Sequence, residues 1–112
     1  MGQVKLTGIP FQVTQWADVP SETYAGAVGV ATWRVKRHGD VRVRMVEYSP
    51  GYVADHWCEK GHILLCVSGE LHTRLKDGRV VVLTPGMSYE VADGAEPHCS
   101  EAPEGATLFI VD

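Results

Sequence analysis

No apolar run in this sequence is long enough to cross a membrane: the longest, Ile63 to Val67, falls far short of the roughly 20 residues a span needs. Basic residues are few and dispersed. Lys36, Arg37, Arg42 and Arg44 alternate with apolar or acidic neighbours in a chain of formal charge −4, which excludes a nucleic-acid footprint. The stretch Met1-Gly2-Gln3-Val4-Lys5-Leu6 lacks the apolar core and cleavage site of a signal peptide, and Leu6 stands where a myristoylation signal wants Ser or Thr. Cysteine is scarce. Cys58, Cys66 and Cys99 are odd in number and without disulfide-framework spacing, so free thiols in a reducing compartment are expected. A soluble, cytoplasmic protein with neither nucleic-acid nor membrane partner is the expectation. Long helical periodicity, internal repeats and low-complexity segments are also lacking.

What the chain has is punctuation. Its 12 glycines and 6 prolines fall between short runs rich in Val, Ile, Leu, Thr and Tyr, as in an all-β chain. The pattern predicts strands over residues 28–36, 41–48, 62–68, 71–76, 79–83, 88–91 and 107–111. Between them lie turn sequences such as Ser49-Pro50-Gly51, Ser68-Gly69-Glu70 and Thr84-Pro85-Gly86, with Asp77-Gly78 the strongest hairpin signal. The 112 residues suit one domain. Pattern alone leaves a sandwich, a jelly roll and a small barrel open. Residues 28–112 form the expected barrel. Residues 1–27 carry apolar anchors at Ile9, Phe11, Val13 and Trp16 and are expected to pack, either on their own barrel or on a second subunit.

Chemistry concentrates between Gly51 and His62. In an extended segment side chains two apart share a face, so His56 and Cys58 would point the same way with Cα atoms roughly 6–7 Å apart. His62 follows a bend at Lys60-Gly61 and can return to the same spot. His98, after Pro97, supplies a distant fourth candidate. Imidazole and thiolate together suit zinc, iron, copper or nickel, not magnesium or calcium.

These residues resemble the motifs of the cupin superfamily. Gly51, His56, Cys58, His62 and Gly69 fall on the first cupin motif with one residue fewer after the first glycine. Pro85-Gly86 and His98 resemble the second, and the likeness covers roughly residues 41–111. Cys58 stands where a histidine is usual and His62 where a glutamate is usual; both replacements still ligate metals. A narrower likeness is to small uncharacterised bacterial DHCW-motif cupins, although the tetrad here, Asp55-His56-Trp57-Cys58, runs in a different order. The resemblance implies a double-stranded β-helix, an RmlC-like jelly-roll barrel that is often dimeric, with a metal near one end of an apolar cavity. It implies no particular reaction.

Other candidates have structural readings. Cys66 shares the parity of His62 and is a possible cavity residue, Cys99 faces elsewhere, and His72 is expected on the outer face and His38 in solvent. Asp55 and Glu59 should point away from an ion, with Asp55 able to orient a histidine. Trp57 reads as a packing residue, while Trp33, Met45, Tyr48 and Tyr89 are possible pocket residues. No general base is evident.

Two functions follow. In the first, a metal-dependent enzyme of dioxygenase or isomerase type holds Fe, Mn, Ni or Zn through three histidines and keeps positions open for substrate. In the second, His56, Cys58, His62 and His98 close a tetrahedral zinc site in a non-catalytic binding or sensing module. A barrel whose cavity is empty or holds only a small organic ligand is a third possibility. The small size and the need to pair strand edges favour a homodimer.

Overall fold

Alternation of apolar and polar side chains lets a strand bury one face, and this chain uses it to wrap two antiparallel sheets around one core. The computed structural model describes residues 6–112; residues 1–5, on which most of the targeting expectation rests, lie outside the described residues. After a 3-10 turn at Trp16–Asp18 come β1 (Ser21–Ala25), β2 (Val30–His38), β3 (Val41–Tyr48), β4 (Tyr52–Val53), β5 (His62–Gly69), β6 (Leu71–Leu75), β7 (Val80–Leu83), β8 (Ser88–Val91), β9 (His98–Ala102) and β10 (Ala106–Val111). One sheet has the order β1-β2-β3-β10-β5-β8, the other β4-β9-β6-β7. This is the jelly roll expected from the sequence. No helix among the described residues is long and apolar enough to cross a membrane.

Three strands were not anticipated. β4 has two residues, and β9 runs through His98, Ser100 and Glu101, residue types that favour no strand by themselves. Pairing with β6, from Leu75↔His98 to His72↔Glu101, imposes the extended form. β1 pairs with β2 from Ser21↔Arg34 to Ala25↔Val30, so this part of the N-terminal segment joins the barrel's own sheet. Ahead of it, Trp16 meets Phe109 edge-on and Arg34 donates to the carbonyls of Trp16, Ala17 and Val19, which fastens this turn to the outer face, whereas Phe11 and Val13, expected to pack, are 98 and 86% exposed.

The inward faces of β3, β5 and β10 supply Val46, Leu64, Cys66, Leu108 and Ile110, with Leu71 and Leu83 from the opposite sheet. Each such leucine or isoleucine stabilises the fold by about 1.5–3 kcal/mol relative to exposure. The alternation also sets where polar groups fall. On β10, Ala106, Leu108 and Ile110 point inward, and Asp112 is the next residue in that phase. The ladders run Val111↔Ile63 toward β5 and Val111↔Val43 toward β3, and so bring Asp112 between His62 and Arg42. Backbone bonds in both directions between Asp112 and Arg42, 2.6 and 2.9 Å, complete that register.

Gly61 lets β5 begin where it does. A Cβ there would lie 2.6 Å from the Asp93 nitrogen and 2.8 Å from the Val91 carbonyl. The bare backbone instead donates to Asp93 Oδ1 at 2.6 Å and delivers His62 to the inner face at its pairing with Val91.

Candidate metal centre

The structure gathers three of the four expected ligands. One donor atom from each of Cys58, His62 and His98 lies within 4.8 Å of the other two. Each is placed by a different device. His62 opens β5 on its buried face. Cys58 and His98 form an isolated antiparallel bridge, with Cys58 N–H donating to the His98 carbonyl at 2.7 Å and His98 N–H to the Cys58 carbonyl at 3.0 Å. That bridge fixes thiol and imidazole side by side although 40 residues of sequence separate them.

The outer nitrogen of each ring is already engaged. His62 Nδ1 donates to Asp112 Oδ2 at 2.8 Å, leaving Nε2 facing Cys58 Sγ at 3.6 Å. His98 Nδ1 donates to the Glu96 carbonyl at 2.8 Å, and its Nε2 is buried without a hydrogen-bond partner. A carboxylate or carbonyl on the far nitrogen is the usual way a protein fixes the tautomer of a metal-ligating histidine. The two rings lie 5.1 Å apart at 75°, and Tyr89 packs edge-on against both.

Asp112 was missed in the sequence. Its side chain has no solvent exposure, and it accepts from Arg42 Nε at 2.9 Å and Arg44 Nη2 at 2.8 Å as well as from His62. Burial disfavours its charge, but the bonds from His62, Arg42 and Arg44 outweigh this and hold the carboxyl well below the usual range. The signal was present: Asp112 continues the Ala106, Leu108, Ile110 alternation into the core.

The three donors tune one another. The His62 ring, hydrogen-bonded at 3.6 Å, and then the neighbouring His98 ring bring the Cys58 thiol down to about 5, against the opposing effect of burial. Burial works against charge on His62, yet its bonds to Asp112 and Cys58 prevail and raise it. His98 is raised chiefly by Cys58, with burial opposing and the Glu96 carbonyl assisting.

His56 is not in the cluster. The parity linking it to Cys58 required an extended segment, but the chain bends at Asp55-His56. Its side chain is 70% exposed, with Nδ1 donating to Asp55 Oδ1 at 2.7 Å. It stands on the lining of the same cavity, a space of about 460 Å³ between the sheets. Cys58, His62 and His98 open onto this space together with Trp33, Tyr48 and Tyr89, three of the four expected pocket residues; Met45 is absent from the lining. Cys66 does not reach it. Its thiol lies in the core near the Ser68 and Gly69 carbonyls.

No protein-family model and no curated protein matches the chain. Solved structures do. An RmlC-like cupin from Shewanella frigidimarina superposes with a TM-score of 0.71 at 21% identity, over 91% of this chain and 89% of that one. A predicted oxalate decarboxylase from Thermotoga maritima gives 0.75 at 16% identity, over 89% and 96%. An Fe(II)-HppE with the alternative substrate (S)-1-HPP gives 0.74 at 15% identity, over 91% of this chain and 60% of that one. At these identities the likeness establishes the fold.

Proposed function

We propose that this chain, whose fold is that of the cupins, binds one divalent metal ion between Cys58, His62 and His98 and acts on a small organic ligand in the adjoining cavity as a metal-dependent enzyme of dioxygenase or isomerase type. The observation that carries the reading is the buried, unpartnered Nε2 of His98 beside Cys58 and His62. An unpaired buried donor or acceptor costs about 1–3 kcal/mol, which a bound ion would relieve. The donor set suits zinc, iron or nickel better than magnesium or calcium, and manganese is admissible. Three protein ligands leave positions for other molecules, as in catalytic sites. A bound ion would supply Lewis-acid polarisation or a redox centre.

The protein's own groups have definite tasks. Asp112 and the Glu96 carbonyl hold the two imidazoles in orientation. Burial raises the phenols of Tyr48 and Tyr89, so both stay protonated at neutral pH as potential donors toward a ligand. The Asp55–His56 pair at the cavity lining gives the site the candidate general base that the sequence did not reveal.

A closed zinc site is the alternative, with His56, which stands on the lining of the same cavity, as its fourth ligand. Elemental analysis of tag-free protein separates the two. With an open site, His56→Ala keeps one metal per chain, whereas Cys58→Ala and His98→Ala lose most of it. Equal loss from His56→Ala would favour the four-ligand site, and absence of any loadable metal in the wild type would sink both.

We also propose a homodimer through the outer face of β5. Ile63, Leu65 and Val67 are 59, 39 and 45% exposed in one row, and Phe11 and Val13 add exposed apolar surface on the N-terminal segment. Sedimentation should give a dimer for the wild type and a monomer for Leu65→Lys at the same concentration; a monomeric wild type overturns the assembly. The three unpaired cysteines support a reducing, cytoplasmic setting.

A further inference from the structure

The lining of the cavity carries charge opposite to that of the chain. The sequence has 14 acidic and 10 basic residues, yet Arg42, Arg44 and Lys60 reach this lining against a single carboxylate, Asp55, which is engaged by His56. The two arginines are not equally committed. Arg42 donates through both Nε and Nη2 to Asp112, at 2.9 and 3.1 Å. Arg44 gives Asp112 only Nη2, and its Nε has no partner although the residue is 5% exposed. Two guanidinium groups thus share one buried carboxylate, leaving one of them without a carboxylate of its own at the cavity lining. Water could pair the free donor but could not neutralise that charge.

The surroundings define the shape of what would. The Arg44 guanidinium lies 4.3 Å from the Trp33 ring centroid, which restrains its plane. Tyr48 and Tyr52, stacked on each other at 4.1 Å and 8°, also reach the lining. A restrained guanidinium in a cavity lined by Trp33, Tyr48, Tyr52 and Tyr89 suits an aromatic carboxylate, since its donors meet a carboxylate in a fixed fork.

We propose that the ligand of this cavity is a small carboxylate with a planar body, its carboxylate seated on Arg44 and its body among the aromatic side chains of the lining. This rests on reading the cavity as the ligand site, but the recognition runs through Arg44 and not through the metal cluster.

The test is calorimetric titration with two acid and amide pairs, benzoate against benzamide and acetate against acetamide, with metal content measured on the same samples. Benzoate should bind saturably at millimolar concentration or below, at least about tenfold more tightly than benzamide, and more tightly than acetate. Arg44→Gln should lose that preference, while Arg44→Lys, which keeps the charge and loses the fork, should fall between. Should Arg44→Gln fail to fold, the acid-to-amide ratio of the wild type and the lysine variant decide. Equal affinity for acid and amide, no saturable benzoate binding, or unchanged affinity in Arg44→Lys overturns the proposal. Metal without carboxylate selectivity sinks this inference alone; carboxylate binding by a protein that takes up no metal sinks only the metal reading.

Discussion

Asp112→Ala should lower stability by about 3–5 kcal/mol, the usual cost of removing one partner from a buried ionic network. The loss is large because the carboxylate has no solvent exposure and its removal leaves Arg44 and, to a lesser extent, Arg42 charged and unpaired. A domain of this size has about 5–15 kcal/mol in total, so the variant should unfold at much lower denaturant concentration. Asp112→Asn should lose less, since its carbonyl still accepts one bond. The pH dependence has a definite sign. With its folded pKa below the unfolded value of about 3.9, Asp112 contributes stability that is present above that pH and lost as pH falls toward the folded value. Wild-type stability should therefore drop on acidification below about pH 4, and Asp112→Asn should flatten that drop. Urea titrations across this range measure both effects, and an unchanged midpoint in the alanine variant would contradict the assigned role.

The second large effect is the stability difference between metal-loaded and chelator-treated protein. Any ion that binds only the folded chain adds about 2.7 kcal/mol at a free concentration 100 times its dissociation constant. This gain should rise with pH. With the Cys58 thiol down to about 5 and His62 and His98 both raised, an ion competes with protons on the two rings as pH falls. In the metal-free protein the two raised histidines act in the opposite sense, partly offset by Cys58, whose lowered value adds stability as pH rises toward its unfolded one. A raised histidine contributes stability that is fully present below its unfolded value of about 6.5 and lost as pH rises through the folded one. The melting temperatures of the two forms should therefore move further apart as pH rises. Cys58→Ala should abolish most of the difference by removing one ligand and the thiolate that raises both rings. Scanning calorimetry at several pH values would show this, and coincident melting curves at every pH would refute metal binding at the cluster.

The ligand candidates were legible to different degrees, for reasons of geometry. His62 and His98 open strands, where an inward position follows from alternation once the neighbouring core residues are recognised. Cys58 and His56 lie in a stretch read as extended, and the bend at Asp55-His56 turned the histidine outward while the bridge to His98 kept the cysteine inward. Parity carries from one residue to the next only where a backbone ladder enforces it. Asp112 and Arg44 were missed as site residues because their role depends on β10 lying between β3 and β5, contacts that span 68 residues for Arg44 and 50 for His62.

The local pattern by itself determined the all-β class and the extent of strands such as β3 and β8, because period-two burial and turn residues act over a few positions. The resemblance pointed to the jelly roll and to the histidines. Tertiary structure alone decided which donors meet, which charges are buried together and that the cavity is lined with arginine in an acidic chain. Those outcomes depend on strand order and register, set by the joint burial of distant segments and not by any short stretch of residues.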